Sequence, residues 1–317
     1  MEPDAAAPRM PTRVLAIHPG ALGDVLQAVP ALRALALAGG AAVTFAGQPR
    51  LGRLLVGLGA TADAVDFDGL GLDGLFVDGG DDARARAHLA RFARVVSWFG
   101  ARHPPYPERL RALAPGAVLA APVPPEADDA PVWQHLLRSI AAGDAPAPSR
   151  QPLAVPDAWR RRGRDLLAGL GADPAGRALL VHPGAGGRWK RWPPARFCAV
   201  VDAVGREAPE PVVVHEGPAD AEAAGALLAA LGRRAVRLVQ PDLGDLAGVL
   251  ASCAGYLGGD SGVSHVAAAV GVPAVIVYPP ETAGRWAPWS PTARPVGAAA
   301  TEADVTAALS AALRREA

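Results

Sequence analysis

The sequence has one lysine, no asparagine and only two cysteines. Lys190 is the only lysine among the 31 basic residues, so arginine carries nearly all of the positive charge. A GC-rich coding bias explains the general shortage, because lysine and asparagine codons are AT-rich. It does not explain why the remaining lysine stands beside Gly184, Gly186 and Gly187. A lysine amine meets an anion end-on, whereas arginine presents a planar fork, so we expect a phosphate site at this turn.

Other absences exclude whole classes of protein. Cys198 and Cys253 lack metal-ligand spacing, which predicts buried free thiols rather than a disulfide framework. No uninterrupted apolar run reaches about 18 residues, and the first dozen residues lack the apolar segment of a signal peptide. A cytoplasmic location is therefore expected, with peripheral contact to the inner face of the membrane left open. Acidic and basic residues both number 31, and this balance argues against a nucleic-acid partner.

Length and local composition predict two domains. A chain of 317 residues fits two units of about 150 residues each. Residues 144–156 contain four prolines and are expected to be an interdomain linker. We therefore divide the chain into a first domain at residues 1–150 and a second domain at residues 151–317.

Short apolar runs alternate with helical patterns along both halves. Strands are predicted at residues 14–17, 42–46, 94–98, 117–120, 178–182, 211–215, 235–239, 255–258 and 274–278. Helices are predicted at residues 24–38 with a kink at Pro30, 84–92, 132–141, 194–206, 220–231, 243–253 and 263–270. This alternation indicates an α/β chain with two Rossmann-like domains, whose parallel sheets face a central cleft. A last helix at residues 302–315 could pack back across both domains.

The same four residues, His-Pro-Gly-Ala, follow the first strand of each half, at residues 18–21 and 182–185. Ligands of open α/β sheets bind at the carboxyl ends of the strands, where these turns lie. In the first turn, Gly20 and Gly23 allow close backbone approach before Asp24. That carboxylate is either a helix cap or a catalytic base that points into the cleft.

The second half holds further groups suited to anions. Asp260, Ser261, Gly262 and His265 surround a predicted helix start, whose unpaired N–H groups favour negative charge. The alternative is that Asp260 or Ser261 only caps the helix and His265 is a half-buried core residue. Arg188 lies two residues before Lys190 and adds a second cation to that turn.

Asp220 follows a predicted strand and is a candidate partner for a ribose hydroxyl pair, although it could equally cap a helix. There is no Walker A motif, and neither half has Gly-x-Gly-x-x-Gly after its first strand. ATPase and ordinary NAD-binding functions therefore lose support.

In this order, the motifs resemble those of glycosyltransferase family 9, the bacterial heptosyltransferases, which have the GT-B fold. Gly-Ala-Leu-Gly-Asp-Val-Leu and Pro-Ala-Leu-Arg-Ala-Leu stand at residues 20–26 and 30–35. His-Pro-Gly-Ala and Lys-Arg-Trp-Pro stand at residues 182–185 and 190–193. Asp-Ser-Gly-Val-Ser-His-Val-Ala-Ala-Ala and Arg-Trp-Ala-Pro stand at residues 260–269 and 285–288.

The resemblance implies transfer of a heptose from an ADP-sugar donor to a lipopolysaccharide-type or other glycan acceptor, with inversion at the sugar carbon. It implies that Asp24 is the general base and Lys190 binds the diphosphate. Asp260, Ser261, Gly262 and His265 would surround the nucleotide-sugar. The resemblance also implies that the first domain, residues 1–150, binds the acceptor and that the second, residues 151–317, binds the nucleotide-sugar. No metal or other cofactor is expected, because Lys190, Arg188 and the helix start at Gly262 could stabilise the departing ADP.

The sequence departs from the family pattern in two places. His18 stands where a basic residue is common, and residues 278–281 read Tyr-Pro-Pro-Glu where the family has aromatic-Gly-Pro-Thr. Two other functions stay open: a GT-B transferase or epimerase that uses a UDP- or GDP-sugar, and a catalytically silent nucleotide-sugar-binding protein. Five residues after a predicted strand are candidates for an acceptor pocket or for the core: Trp98, Phe99, Arg102, His103 and Tyr106.

Overall fold

A computed structural model describes residues 12–38, 40–140, 149–172, 177–207 and 211–314. The first five strands form one parallel sheet in the order β3-β2-β1-β4-β5. They are β1 (Arg13–Ile17), β2 (Ala42–Gly47), β3 (Asp63–Asp66), β4 (Arg94–Ser97) and β5 (Val118–Leu119).

The other six strands form a second parallel sheet in the order β11-β10-β9-β6-β7-β8. They are β6 (Leu179–His182), β7 (Val212–Glu216), β8 (Ala235–Val239), β9 (Gly255–Gly259), β10 (Ala274–Tyr278) and β11 (Ala293–Gly297). The predicted α/β class with two parallel sheets is therefore confirmed.

Within the described residues, seven helices accompany the first sheet and the connection to the second. They are α1 (Leu22–Gln27), α2 (Val29–Leu37), α3 (Pro49–Gly57), α4 (Ala83–Leu89), α5 (Tyr106–Leu113), α6 (Val132–Ile140) and α7 (Asp157–Gly169). The expected kink at Pro30 is a break between two helices, because α1 ends before Ala28 and Pro30 lies in the first turn of α2.

In the part of the second half that the structure describes, six more helices accompany the second sheet. They are α8 (Pro194–Glu207), α9 (Ala221–Leu231), α10 (Leu243–Leu250), α11 (Gly262–Val270), α12 (Pro280–Trp286) and α13 (Glu302–Leu313). The last helix packs against α8, β9 and β10. In the described part of the chain, no helix is both long enough and apolar enough to span a bilayer.

Both faces of each sheet are covered by apolar side chains. Along β1, Val14 and Ala16 join the cluster shared with α1 and α2, whereas Leu15 and Ile17 join the cluster on the opposite face. This alternation follows from the two-residue period of a strand. The shared cluster also contains buried residues of α10 and α11, so one apolar core continues from the first sheet to the second.

The two domains are joined by side chains that reach carbonyl groups across the boundary. Trp289 Nε1 donates to Leu26 O at 2.8 Å, and Gln27 Nε2 donates to Trp286 O at 3.1 Å. The first part of the expected linker, residues 144–148, lies outside the described residues. The rest, residues 149–156, contains neither helix nor strand, and the Leu153 N–H donates to Ala269 O at 2.7 Å.

Candidate functional site

The turns after β1 and β9 meet between the two domains, where α1 packs against α11. Two glycines make this approach possible. A Cβ on Gly23 would lie 3.0 Å from His265 Cδ2, and one on Gly262 would lie 3.0 Å from Leu22 Cβ. Both separations are tighter than ordinary van der Waals contact. The close approach of these two turns therefore depends on glycine on each side of the cleft.

Asp24 lies in the first turn of α1 and has two local constraints. Its Oδ2 accepts a hydrogen bond from the Ala21 N–H at 3.1 Å, as expected for a capping box. Partial burial raises the pKa of the Asp24 carboxyl. The hydrogen bond from the Ala21 N–H and the charge of Lys190 lower this pKa, whereas the charge of Asp260 raises it. The carboxylate thus caps a helix and also faces charged groups of the second domain.

Lys190 and Asp260 form an ion pair on the second domain's side of the cleft. Lys190 Nζ lies 2.9 Å from Asp260 Oδ2, and their side chains are 21% and 8% exposed. The amine also lies 5.3 Å from the centre of the Trp189 ring, and the Gly186 N–H donates to Asp260 O at 3.3 Å. A partly buried cation is therefore held in position at the edge of the cleft.

The start of α11 is ordered by a network of hydroxyl groups. Ser261 Oγ accepts from the Ser264 N–H at 3.3 Å, so Ser261 is the N-cap of the helix. Ser264 Oγ donates to Gly259 O at 2.5 Å and lies 2.8 Å from the buried Tyr256 hydroxyl. The N–H groups of the first turn of this nine-residue helix then point out of its end, toward the cleft.

His265 is buried within α11 and is neutral at physiological pH. Burial lowers its pKa to about 4, with the charge of Asp260 raising the value and that of Lys190 lowering it. A neutral imidazole can donate or accept one hydrogen bond beside a ligand without adding charge.

Asp220 is packed beneath the second His-Pro-Gly-Ala turn. Its Oδ2 lies 3.7 Å from His182 Nε2, and His182 Nδ1 lies 3.0 Å from His215 Nδ1. Burial lowers the pKa of both histidines, that of His215 to about 3. A Cβ on Gly184 would lie 2.3 Å from Asp220 Cγ, so glycine is needed here to accommodate this carboxylate. Asp220 starts α9 but makes no side-chain cap.

Arg188 stands apart from the Lys190–Asp260 pair. Its guanidinium is 79% exposed and pairs with Glu222 at 2.6 Å, and Arg191 contacts the same carboxylate at 3.2 Å. Although Arg188 and Lys190 are close in sequence, they therefore pair with different carboxylates.

The aromatic residues after β4 are largely part of the core. Trp98 and Tyr106 are buried, and Trp98 Nε1 donates to Ser139 Oγ at 2.9 Å. Phe99 packs edge-on against Tyr106, with ring centres 5.5 Å apart. Arg102 and His103 are exposed beside them and Phe99 is partly exposed, so Arg102 and His103 are the most accessible of the five candidates.

The structure adds His18 and Gln48 to the first turn, and neither residue was predicted to have a role there. His18 Nδ1 accepts from the Gly20 N–H at 3.2 Å, and burial lowers the pKa of His18 to about 4. A Cβ on Gly20 would lie 2.7 Å from His18 Cε1. Gln48 Nε2 donates to Gly20 O at 3.2 Å. The only sequence signal was the shared His-Pro-Gly-Ala motif, which marks His18 but not Gln48.

The two cysteines are free, as predicted, but only Cys253 is buried, whereas Cys198 is partly exposed. Among the described residues, no group of three His, Cys, Asp or Glu side chains is arranged to hold a metal ion. The expectation that the chain needs no metal stays a prediction.

Comparison with known proteins shows the family to which the chain belongs. A model of glycosyltransferase family 9 (heptosyltransferase) matches residues 134–310, more than half of the chain. The chain belongs to glycosyltransferase family 9. Lipopolysaccharide heptosyltransferase 3 of Escherichia coli is 30% identical to this family 9 chain over 143 residues, which are 43% of the chain. The match spans only 40% of that curated relative.

Solved structures share the fold of this family 9 chain over nearly its whole length. A family 9 glycosyltransferase from Veillonella parvula is 19% identical, with a TM-score of 0.73 and coverage of 96% of this chain and 97% of its own. ADP-heptose lps heptosyltransferase II of E. coli is also 19% identical, with a TM-score of 0.72 and coverage of 96% and 99%. The predicted GT-B fold is confirmed, and the chain is a glycosyltransferase of the heptosyltransferase family.

Proposed function

We propose that the chain moves a heptose or similar sugar from an ADP-sugar to a lipopolysaccharide-type or other glycan acceptor, with inversion at the anomeric carbon. One observation carries the proposal: Asp24 of the first domain faces the Lys190–Asp260 pair of the second. The helix α1, which carries Asp24, packs against α11, whose N-cap Ser261 directly follows Asp260. The charges of Lys190 and Asp260 also act on the pKa of the Asp24 carboxyl. A base and a cation on opposite walls of one cleft are what a single displacement at a sugar carbon requires.

On the donor side, Lys190 binds the diphosphate and Asp260 holds the lysine in place. The lysine amine has three donors, so it can keep its bond to Asp260 and still meet a phosphate oxygen. The start of α11 at Ser261 and Gly262 adds backbone N–H groups and partial positive charge. His265 lies beside the sugar as a neutral hydrogen-bonding group.

Two further residues complete the proposed donor site. Asp220 contacts the ribose hydroxyl pair from its position beneath the Gly184 turn. Arg188 lies near the outer end of the diphosphate and would exchange Glu222 for phosphate when the donor binds.

In the reaction, an acceptor hydroxyl oxygen attacks the anomeric carbon and its proton passes to the Asp24 carboxylate. The bond between that carbon and the β-phosphate oxygen breaks, and its electron pair leaves with ADP. The transition state has oxocarbenium character, and Lys190 stabilises the charge that develops on the diphosphate. Gly20 and Gly23 shape the turn that carries the base, because His18 and His265 pack where their Cβ atoms would lie. No metal is invoked.

Several relatives support the choice of donor and acceptor. The E. coli heptosyltransferase WaaC has been solved with ADP and with ADP-2-deoxy-2-fluoro heptose, with TM-scores of 0.63 and 0.60 to this chain. The matched curated relative is a lipopolysaccharide heptosyltransferase. On that ground, we propose ADP-heptose as the donor of this chain and a lipid-linked glycan as its acceptor. The expected cytoplasmic location, with peripheral membrane contact, stays a prediction.

Nucleotide binding separates this proposal from a transferase or epimerase that uses another nucleotide-sugar. The melting temperature of the chain is measured with ADP, UDP and GDP at equal concentrations. We expect ADP to raise it most, because a ligand that binds only the folded state stabilises that state. Stabilisation by UDP or GDP alone would contradict the choice of donor. A silent binding protein would be stabilised by ADP without consuming ADP-heptose, which a coupled assay for released ADP detects.

A further inference from the structure

A cavity of about 510 Å³ lies between the two domains, beside the carboxyl ends of β7 and β8. The second domain lines it with apolar groups, which include Pro218, Pro241 and Leu243. The first domain lines it with helix α3, from which Arg50 and Arg53 face the same space. The wall of the second domain thus combines these apolar groups with polar ones, such as Gln240 and Asp242, and the facing wall carries two cations.

The two arginines of α3 have few partners within the chain. In the described residues, the side chain of Arg53 makes no ion pair or hydrogen bond, and Arg50 Nε donates only to Gln48 Oε1, at 3.3 Å. Arg162 lines the same cavity but is engaged, because its Nε lies 2.6 Å from Asp245 Oδ1. Each guanidinium has five N–H donors and a planar face. Arg50 and Arg53 therefore retain most of their binding capacity for a ligand.

The cavity adjoins the groups that hold the diphosphate in the proposed function. Val263, in the first turn of α11, lines it, as does Leu22, which packs against Gly262. His215 lines it too and contacts His182 beneath the Gly184 turn. A diphosphate at Lys190 and the α11 start would therefore have its nucleoside directed into this cavity.

We propose that Arg50 and Arg53 bind the nucleotide of the donor, so that the acceptor domain also contributes to donor affinity. The inference rests on the proposed function, because it takes the ligand to be a nucleoside diphosphate. A guanidinium can stack on a purine ring or form paired hydrogen bonds with a phosphate. Either contact joins α3 to a ligand held by the second domain, so the bound donor draws the two walls together.

The test measures ADP affinity in the absence of acceptor, by isothermal titration. The double variant Arg50→Gln/Arg53→Gln is compared with wild type and with a matched control, Arg91→Gln/Arg111→Gln. The control removes two exposed charges from the same domain, at positions that do not line the cavity. We expect the Kd for ADP to be about tenfold higher or more in the α3 variant, because a charge-assisted hydrogen bond is lost. We expect the control to change it little.

The outcomes separate this inference from the function on which it rests. Equal ADP affinity in wild type and the α3 variant, with Lys190→Ala impaired, would overturn the inference and leave the proposed function standing. An equal loss in the control variant would also overturn it, because the effect would then be one of net charge. A wild-type chain that does not bind ADP would overturn both. The side chains of Arg50 and Arg53 are exposed, so we expect their replacement to preserve folding. The single variant Arg53→Gln gives a second, independent measurement of the effect on ADP affinity.

Discussion

At the scale of single residues, Lys190 matters because of what surrounds it. Its amine is 2.9 Å from a buried aspartate and 5.3 Å from an indole ring, at the edge of the cleft that Asp24 faces. Asp260 is 6% exposed and would be left as an uncompensated buried charge without the lysine. The pair therefore positions the cation before any ligand arrives.

Replacing Lys190 with alanine should weaken ADP binding about tenfold or more, because a charge-assisted contact with the diphosphate is lost. Lys190→Arg should restore only part of the affinity, since a planar fork cannot occupy the position of a compact amine. Titration calorimetry gives both affinities, and the melting temperature of each variant without ligand checks that it folds. Unchanged ADP affinity in Lys190→Ala would contradict the assignment.

The pKa of Asp24 gives a prediction for the pH dependence of turnover. A general base acts only when ionised, so kcat/KM should fall as the pH drops through the pKa of this carboxyl. Because burial raises that pKa, the fall should begin above the ordinary aspartate range. A pH profile of kcat/KM at low donor concentration measures it. A profile that stays flat into the ordinary range would show that Asp24 is not the base.

Several side-chain partners could not be predicted from the sequence. Asp220 was a candidate either for a ribose contact or for a helix cap. Its carboxylate makes no side-chain cap and instead lies 3.7 Å from Nε2 of His182, at the end of β6. Arg188 was expected to join Lys190, and it pairs instead with Glu222, 34 positions away in the chain. Such contacts depend on how strands and helices are placed side by side, and motif spacing carries no information about this.

At the scale of elements, all nine predicted strands are present, while two strands escaped prediction. β3 has only four residues with an acid at each end, and β11 contains Pro295. Both are at the edges of their sheets, where strands are short and proline is tolerated. Helices α3, α5, α7 and α12 were also not predicted. In three of them, α3, α5 and α12, proline occupies the first turn and obscures the helical pattern.

The packing of α7 on α10 depends on two glycines. A Cβ on Gly163 would lie 2.2 Å from the Gly248 carbonyl carbon, so Gly163→Ala forces the helix backbones apart. We expect it to lower the free energy of unfolding by roughly 1–3 kcal/mol, the usual cost of overpacking. Gly169 ends the same helix with nothing within 4 Å, and Gly169→Ala should have no such cost. Urea denaturation measures the free energy of unfolding of both variants. Equal values for Gly163→Ala and Gly169→Ala would contradict the close packing of α7 on α10.

At the scale of the whole molecule, the sequence predicted two facing sheets but not how they are joined. The last helix, which could have crossed both domains, packs on the second sheet. The crossing is made by α12 and the residues after it, through Trp286 and Trp289 to the end of α1. Arg285 extends it to the carbonyls of Pro124 and Pro125, at 3.3 and 3.2 Å. The family motif Arg-Trp-x-Pro marked this segment, but its partners lie more than 150 positions away.

The central claim is that the facing turns transfer a sugar from a nucleotide diphosphate to a hydroxyl, with Asp24 as the base. The most direct measurement is the transfer of labelled sugar from ADP-heptose to a lipopolysaccharide acceptor that lacks heptose, by wild type and by Asp24→Asn. We predict an inverted glycosidic product from wild type. The variant should lose turnover by at least about a hundredfold while it still binds ADP. Unchanged turnover in Asp24→Asn, or a product of retained configuration, would contradict the account.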